Sequence, residues 1–490
     1  MRYLFLAETR DISATIPSLF RNISWLPPPL ILSILVLPFV QWGFSDDDVF
    51  IQHYLVGQPY PFPMGSDGRF FPLGHQEWRL LPRMTQAWMF HGTALIEYSI
   101  FCFAVWTLIA KRPNIKGLSA FIFVVTLPPI VISFSNIILP ERNQLTAVAL
   151  WFLFYNIWKN TRKISFGLLA LFFANLGLYY KEPTCLFLGG FALVQLVLSL
   201  KSHGTHKLFR ECWSDIALLA SCAIFLLVYF SIESVRTITG PAAYAGNYLS
   251  LTKGLPTFGR LALKDPLVVL LMLWGAGLNI HHLILYKSER RPYLALWVGA
   301  VLYFCSLMFA GLSSKYYDAL PIFGFGLLIA GELVRRTMSN LARMVCWAIV
   351  FVNTILWAPS IAYKYDWTER NVELVDHILE HLGSSNQTDI LITKGDHWDA
   401  AMFILYAKAI RGINAQFYCD GAILSHGSAP CRLHEVQRDI GIRINLGYVM
   451  GERTGTLQLG SKELWRYRGI WERLIPTTLR SVLKPQYNIW

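Results

Sequence analysis

Charge is scarce in this chain: Asp, Glu, Lys and Arg make up 15% of its 490 residues, while 54% of the residues are hydrophobic. Mean hydropathy is +0.41. A soluble protein of this size does not need so much apolar surface. The low charged fraction and high hydrophobic fraction therefore exclude an ordinary globular protein and indicate that the additional apolar side chains face lipid. The aromatic fraction of 14% fits rings at membrane–water boundaries or rings that line a pocket for a long lipid. Composition does not separate those two uses.

Several motifs that carry chemistry are absent from the sequence. The eight cysteines include no CxxC pair, which argues against a zinc or redox motif. There is no GxGxxG after a strand, no Walker A, no HExxH and no GxSxG, so a nucleotide-driven pump and a zinc protease have no support. The first 25 residues are mixed and polar, and no small-residue cleavage site follows the next apolar run. We therefore expect that run to stay as an anchor.

Eleven apolar runs follow one another along the chain, and most are long enough to span ~30 Å at ~1.5 Å per residue. They cover residues 26–44, 87–110, 117–138, 144–158, 164–180, 183–200, 216–232, 266–286, 292–312, 317–333 and 341–358. The sequence therefore predicts an α-helical polytopic membrane protein with about eleven transmembrane helices.

Basic residues mark one side of the membrane, because Lys and Arg near helix ends are retained in the cytoplasm. The N-terminal segment 1–25 and the loops after the even-numbered helices carry three basic residues each. The other short loops carry one each, Arg142, Lys181 and Lys315, beside an acidic residue. We therefore predict a cytoplasmic N-terminus and a C-terminus on the opposite side. The net charge of +12 lies in these loops and does not indicate a nucleic-acid partner.

Two long external loops and a polar C-terminal segment complete the predicted layout. Residues 45–86 and 233–265 favour short helices on the membrane surface or a mobile flap. Residues 361–490 hold 15 Lys and Arg against 14 Asp and Glu, so we expect a small soluble extracytoplasmic α/β domain. It should contain helices at 371–382 and 398–410, a strand at 389–393, and strands and turns from Arg443. Cys419 and Cys431 can pair in an oxidising compartment, but their spacing leaves that open.

The strongest polar signal is the triplet Asp46, Asp47 and Asp48, where the first helix is predicted to leave the membrane externally. Adjacent carboxylates repel one another. Near an interface, such a cluster serves to bind a cation or to hold one carboxylate at a raised pKa as a base. The alternative interpretation is a solvated helix cap.

Three further polar groups lie at external helix ends under the same topology. They are Glu141 with Arg142, Lys181 with Glu182, and Lys315 with Tyr316 and Tyr317. With the triplet they supply lysines for a phosphate, carboxylates for an acceptor hydroxyl and aromatics for a polyprenyl chain. Each group taken alone is more often an interfacial anchor. Glu97, midway along the second predicted helix, fits either a structural hydrogen-bonding role or a transport or substrate role.

These residues resemble the motifs of the GT-C superfamily, integral-membrane glycosyltransferases that use polyprenyl-phosphate sugars. The string DDVFI at 47–51, with Tyr54, Leu55 and Gly57 after it, is similar to the superfamily's first-loop motif of two Asp, an aromatic residue and Ile. The string KYY at 315–317, followed by Leu-Pro at 320–321, resembles the late-loop motif R-Y-x-x-P with Lys in place of Arg.

Two single residues extend the resemblance, which covers roughly residues 25–360. Glu141 matches the acidic residue of the second external loop, and Lys181 lies where members often hold a phosphate-binding basic residue. The resemblance implies a GT-C-like catalytic domain over residues 26–360. It also implies transfer of a sugar from a polyprenyl-phosphate donor to a lipid-linked glycan or protein acceptor on the external face.

The resemblance also implies roles for individual residues. The first-loop Asp of that superfamily is taken as the base that deprotonates the acceptor, which here is Asp47, supported by Asp48 or Asp46. The expected catalytic residues are Asp47, Asp48 and Glu141; the expected substrate-binding residues are Asp46, Arg142, Lys181, Glu182, Lys315, Tyr316 and Tyr317. Some members bind a divalent cation, such as Mg²⁺ or Mn²⁺, beside these carboxylates and others do not. The need for a metal stays open, with Asp47 and Asp48 as its ligands where one binds.

The expected partners are the polyprenyl-phosphate sugar donor, a glycan or protein acceptor and membrane lipid, in a bacterial inner membrane. Direct displacement at the anomeric carbon implies an inverting transfer. The alternative function is a non-catalytic lipid-glycan transporter or polysaccharide-assembly protein. A transporter places ionisable groups inside its spans, whereas here nearly all of them lie at the ends.

Overall fold

The structure is a computed structural model, and its first part is a set of packed helices. It describes residues 23–40, 70, 72–74, 87–109, 115–137, 139–203, 208–239, 251–285, 291–310, 312, 315–334, 344–349, 351–352, 376, 389–394, 397–421, 431–433 and 442–445. A small parallel sheet follows the helices near the C-terminus.

The apolar runs form the helices of the first part. These are α1 (Pro27–Val36), α2 (Ala87–Ile109), α3 (Ile115–Val125), α4 (Pro128–Ser135), α5 (Glu141–Thr161), α6 (Ile164–Tyr180), α7 (Thr184–His203), α8 (Leu208–Thr239), α9 (Leu251–Lys264), α10 (Pro266–Leu285), α11 (Arg291–Phe309) and α12 (Ala319–Val334). Short 3-10 turns at Leu37–Phe39 and Lys315–Asp318 follow α1 and precede α12. Every predicted run overlaps a helix, the last one through residues 344–349 and 351–352.

Several of these helices can cross a membrane. Within the described residues, three are long and apolar enough: Ala87–Ile109, Cys212–Ser231 and Tyr316–Val334. Two bent helix pairs raise the number to five, and four shorter apolar helices accompany them. Outward-facing side chains such as Ile96, Phe172 and Leu227 are more than half exposed, which fits lipid as the surroundings because lipid tails are as apolar as these side chains. The chain is a multi-pass integral membrane protein.

The third predicted run, 117–138, is broken into α3 and α4, which are bent by 59°. Pro128 and Pro129 supply no N–H donor, and Leu127 before them has the extended angles φ −60° and ψ 130°, as the residue before a proline usually does. Helix α4 is buried from Pro129 to Ser135 and packs against the 3-10 turn Lys315–Asp318. The break therefore brings the end of α4 beside the predicted late loop.

Helices α7 and α11 approach closely at a glycine. A Cβ placed on Gly299 of α11 would lie 2.4 Å from the carbonyl oxygen of Phe187 in α7. A backbone atom cannot move aside without shifting its helix, so this position admits only glycine at the observed separation.

Gly299→Ala is expected to lower the thermal unfolding midpoint of the detergent-solubilised protein, since forcing an extra methyl group into a close-packed contact costs about 1 to 3 kcal/mol. The matched control is Gly277→Ala in the neighbouring helix α10, where a Cβ would meet nothing within 4 Å. Equal midpoints for the two variants, measured by differential scanning fluorimetry, would contradict this packing.

The C-terminal part forms a four-stranded parallel sheet in the order β3-β2-β1-β4. Its strands are β1 (Asp389–Lys394), β2 (Gln416–Cys419), β3 (Arg432–Leu433) and β4 (Ile442–Asn445), and α13 (His397–Ala409) connects β1 to β2. The predicted strand and helix at 389–393 and 398–410 are confirmed to within one residue. Of the predicted helix at 371–382, only Asp376 lies among the described residues, in a helical conformation.

A disulfide joins Cys419 at the end of β2 to Cys431, which directly precedes β3. It links the two ends of the connection between the hydrogen-bonded strands β2 and β3. In the unfolded chain it limits the conformations of that connection, next to β3, the shortest strand of the sheet. The pairing that the spacing of the cysteines left open is therefore formed.

Candidate functional site

The first turn of α5 is unusually polar for a buried segment. Glu141, Arg142, Asn143 and Gln144 are all buried. An acidic residue in a first turn is favoured by the positive end of the helix dipole, but a buried charge also needs a partner of opposite sign. The neighbouring segments supply those partners.

Glu141 forms an ion pair with Lys181. Lys181 Nζ lies 2.7 Å from Glu141 Oε1, and the two side chains are 4% and 0% exposed. The same ammonium lies 4.7 Å from the ring centroid of Tyr317, within cation–π range. An ammonium carries three donors, so Lys181 has the capacity to bind a second anion beside Glu141.

Arg142 forms a second ion pair, with Glu97 of α2. Its Nε donates to Glu97 Oε2 at 2.8 Å, and its guanidinium also donates to the carbonyl of Ile137. This bond fits the structural role of Glu97.

A buried chain of hydrogen bonds holds the backbone of Lys181. Thr184 Oγ1 donates to the Lys181 carbonyl at 2.6 Å, and Gln144 Nε2 donates to Thr184 Oγ1 at 2.6 Å and to the Tyr303 hydroxyl at 3.2 Å. Gln144, Thr184 and Tyr303 are fully buried and belong to α5, α7 and α11. Three helices thus fix the position of one lysine.

None of these three residues was a predicted site residue. The spacing of Glu141 and Gln144, three residues apart, places both on one helix face and could have indicated Gln144. Tyr303 stands in a long apolar run without a charged residue near it in the sequence, so no local pattern marks it.

Two described residues of the first long external loop, Phe70 and Leu73, bind to the turn between α6 and α7. The backbone N–H of Phe70 donates to Glu182 Oε1 at 3.1 Å, and that of Leu73 donates to the carbonyl of Tyr179 at 3.2 Å. The Phe70 ring packs against the rings of Tyr179 and Phe225, with centroids 6.3 and 5.6 Å away. Glu182 therefore anchors the loop that also carries the Asp triplet.

The 3-10 turn before α12 closes the cluster. Tyr316 packs against Ile132 and Leu139, and its ring centroid lies 4.3 Å from that of Tyr317. Asp318, at the end of the turn, is fully buried.

Six of the predicted site residues lie in this cluster: Glu141, Arg142, Lys181, Glu182, Tyr316 and Tyr317. The triplet Asp46, Asp47 and Asp48 and the side chain of Lys315 lie outside the described residues. Over the part of the chain that the structure describes, no group of three or more His, Cys, Asp or Glu side chains can hold a metal ion.

A comparable buried ion pair lies near the other end of α5. Lys159 Nζ lies 2.8 Å from Asp215 Oδ2 of α8, and the Tyr155 hydroxyl donates to Asp215 Oδ1 at 2.8 Å. Lys159 is roughly 27 Å along α5 from Glu141. This pair holds α5 against α8 at a distance from the cluster around Lys181.

Comparisons with known proteins give distant structural similarity. No family model matches the chain, and no curated protein matches it. The oligosaccharyltransferase of Archaeoglobus fulgidus in complex with zinc and sulfate is 15% identical, with a TM-score of 0.43 over 80% of this chain and 62% of that one. The archaeal oligosaccharyltransferase AglB from Archaeoglobus fulgidus, in complex with an inhibitory peptide and a dolichol-phosphate, is 11% identical, with a TM-score of 0.45 over 81% of this chain and 64% of that one.

A third structure, the A. fulgidus oligosaccharyltransferase tethered to an acceptor peptide, is 12% identical, with a TM-score of 0.40 over 82% of this chain and 64% of that one. The chain thus spans 62–64% of the length of these solved chains. At these TM-scores the similarity assigns no function.

Proposed function

We propose that the chain is a GT-C-type membrane glycosyltransferase that moves a sugar from a polyprenyl-phosphate donor to a lipid-linked glycan or protein acceptor. One observation carries the proposal: Lys181 lies where four segments distant in sequence converge. Glu141 pairs with its ammonium, the Tyr317 ring lies against it and, through neighbouring Glu182, Phe70 of the first external loop is bound beside it. These segments are the ones in which the sequence predicted carboxylates, a cation and aromatics for such a donor.

In the proposed reaction, Asp47 takes the proton of an acceptor hydroxyl, whose oxygen attacks the anomeric carbon of the donor sugar. The bond from that carbon to the phosphate oxygen breaks, and its electron pair stays on the phosphate. The Lys181 ammonium offsets the charge that develops there, with Lys315 as a second cation. Because attack and departure occur on opposite faces, the transfer inverts the anomeric configuration.

The ion pair between Lys181 and Glu141 determines how Lys181 would bind the phosphate of the sugar donor. Within the cluster, the cations whose side chains are described are Lys181 and Arg142, and each forms an ion pair with a carboxylate. The phosphate of the sugar donor would therefore bind Lys181 together with Glu141. It would accept hydrogen bonds from the ammonium N–H groups that Glu141 does not use. In this proposal, Glu141 acts by setting the position of Lys181.

We further propose a cytoplasmic segment 1–25, a catalytic membrane domain of about eleven spans over 26–360, and an extracytoplasmic domain over 361–490, in a bacterial inner membrane. The basic loops support this orientation. The disulfide between Cys419 and Cys431 supports an oxidising compartment for the C-terminal domain, because disulfides persist outside the cytosol.

Cysteines introduced at Ser66 and Ser313 are expected to react with an impermeant maleimide in intact cells, and one at Ser202 only after permeabilisation, because the basic loops put the first two outside. The parent protein, whose described free cysteines are buried apart from half-buried Cys305, gives the background. Labelling at Ser202 in intact cells would overturn the orientation.

The alternative, a lipid-glycan transporter or polysaccharide-assembly protein, needs free ionisable groups inside the spans. Glu97, the mid-span carboxylate that the sequence singled out, bonds to Arg142. That bond favours the enzyme over the transporter.

The experiment that tests the proposal compares the cell-envelope glycans of cells with and without the chain by mass spectrometry. If the chain is an enzyme, cells without it should make a glycan that lacks one sugar. Vesicles with the purified protein should add that sugar when they are given the matching polyprenyl-phosphate sugar. A complete glycan on the wrong side of the membrane would instead indicate the transporter.

A further inference from the structure

One carboxylate oxygen of Glu141 has no partner among the described residues. Its Oε1 lies 2.7 Å from Lys181 Nζ, whereas its Oε2 is buried and receives no hydrogen bond from the described part of the chain. The side chain is 0% exposed, so bulk water does not solvate this oxygen. A buried carboxylate oxygen without a donor is costly and rare in a folded protein. Glu141 Oε2 therefore indicates a bound group that donates a hydrogen bond.

Lys181 supplies hydrogen-bond donors beside this acceptor. Its ammonium carries three N–H groups, and its described contacts are Glu141 Oε1 and the ring of Tyr317, with the ring centroid 4.7 Å from Nζ. Because Oε1 and Oε2 belong to one carboxylate, Oε2 also lies close to the ammonium. An acceptor and N–H donors are therefore available at one place.

A hydroxyl group fits this combination of acceptor and donors. Its O–H donates to Glu141 Oε2, and its oxygen accepts from Lys181. A phosphate oxygen does not fit at Oε2, because it only accepts hydrogen bonds and two anions repel each other. Water and a hydroxyl of a sugar share the required chemistry.

We propose that Glu141 Oε2 and Lys181 bind a hydroxyl of the donor sugar, the one on the carbon next to the anomeric carbon. The inference rests on the proposed function, in which Lys181 also binds the donor phosphate. The phosphate oxygen and the 2-hydroxyl stand on adjacent carbons, so one ammonium can contact both. Glu141 is then a specificity-determining residue in addition to the partner that positions Lys181.

The proposal names a class of donor sugar, one with a free 2-hydroxyl. A 2-acetamido sugar carries an amide nitrogen in place of that oxygen, and an amide nitrogen does not accept a hydrogen bond from Lys181. Tyr317 is partly exposed, whereas Glu141 and Lys181 are buried. In the proposal, the sugar therefore enters where the Tyr317 ring lies against the ammonium.

The test measures transfer by the full-length protein in vesicles, with the incomplete glycan of cells that lack the chain as acceptor. The donors are undecaprenyl-phosphate glucose, galactose and mannose, which carry a 2-hydroxyl, and undecaprenyl-phosphate N-acetylglucosamine and N-acetylgalactosamine, which do not. We expect transfer from a 2-hydroxy sugar and from neither acetamido sugar. The sugar that is transferred is then compared with its 2-deoxy analogue by kcat/KM.

In the wild type we expect the 2-deoxy analogue to lower kcat/KM by about tenfold to a hundredfold, the usual cost of a lost hydrogen bond to a charged group. Glu141→Gln should reduce this ratio to about threefold to tenfold, because a hydrogen bond to a neutral group is roughly half as strong. The intrinsic reactivity of the two donors cancels when the ratios are compared. Asp215→Asn, the matched control, removes the carboxylate of the buried pair at the other end of α5 and should keep the wild-type ratio.

Three outcomes would overturn this inference and leave the glycosyltransferase function standing. They are transfer from an acetamido sugar, the same ratio in Glu141→Gln as in the wild type, as expected where the pair binds only water, and an equal fall of the ratio in Asp215→Asn. Where Glu141→Gln does not fold, as judged by size-exclusion profile and unfolding midpoint, Glu141→Asp withdraws the carboxylate by one methylene group and should also lower the ratio. A complete glycan in cells that lack the chain, together with transfer from no donor, would overturn the proposed function itself.

Discussion

Lys181→Met is expected to destabilise the protein by about 3 to 5 kcal/mol, because it leaves Glu141 as an uncompensated charge in a buried position. The double variant Lys181→Met/Glu141→Leu removes both charges and should regain most of that stability, since apolar residues of similar size often replace a buried ion pair without loss. Unfolding midpoints of the detergent-solubilised variants measure both effects. Neither variant should support transfer, because the cation that offsets charge on the leaving phosphate is gone.

The pair between Lys159 and Asp215 supplies a matched control on the same helix. Its N–O distance is 2.8 Å against 2.7 Å for the pair between Lys181 and Glu141, and both pairs are buried. Lys159→Met should therefore cost similar stability, and Lys159→Met/Asp215→Leu should regain it. These variants should keep transfer per folded molecule, because they lie at the far end of α5.

The two double variants together separate a structural role from a functional one. If Lys181→Met/Glu141→Leu folds and restores the envelope glycan as well as the wild type does, the pair only holds helices together and Lys181 does not bind the donor. If both double variants lose transfer, the loss follows from a general change in the bundle.

Much of the helical layout could be predicted from hydropathy, because a span must be apolar along its whole length. Helix α6 has the predicted bounds of 164–180. The break of the third run at Leu127 was missed although its prolines are visible in the sequence, since a hydropathy window averages over them. Helix α8 extends from Leu208 to Thr239, beyond the predicted 216–232, because its polar ends continue the helix outside the apolar stretch.

The candidate site could be predicted only at the level of helix ends. Hydropathy and basic loops put Glu141, Lys181 and Tyr317 on one side of the membrane, but they say nothing about which helices are neighbours. The contact of Lys181 with Glu141 spans 40 residues of sequence and depends on how the helices pack. Tyr303 escaped prediction for the same reason, since a tyrosine in an apolar run is ordinarily a core or interfacial residue.

Asp47→Asn is expected to leave the protein inserted and stable while it reduces transfer by about a hundredfold to ten-thousandfold, the usual contribution of a general base. The amide keeps the shape of the carboxylate but cannot accept the proton of an acceptor hydroxyl at neutral pH. Asp47 lies outside the described residues; Phe70, in the same external loop, donates its backbone N–H to Glu182 beside Lys181.

The neighbouring carboxylates provide the matched controls for this substitution. Asp46→Asn and Asp48→Asn remove the same charge within one residue of Asp47, so they reproduce any general electrostatic effect on the loop, and each should reduce transfer less than Asp47→Asn does. The measurement is the amount of complete envelope glycan restored per amount of membrane-inserted protein. Wild-type amounts with Asp47→Asn would remove it as the base. A loss of inserted protein would indicate instead that Asp47 has a structural role, because the loss of a structural contact lowers stability and not the rate of a chemical step.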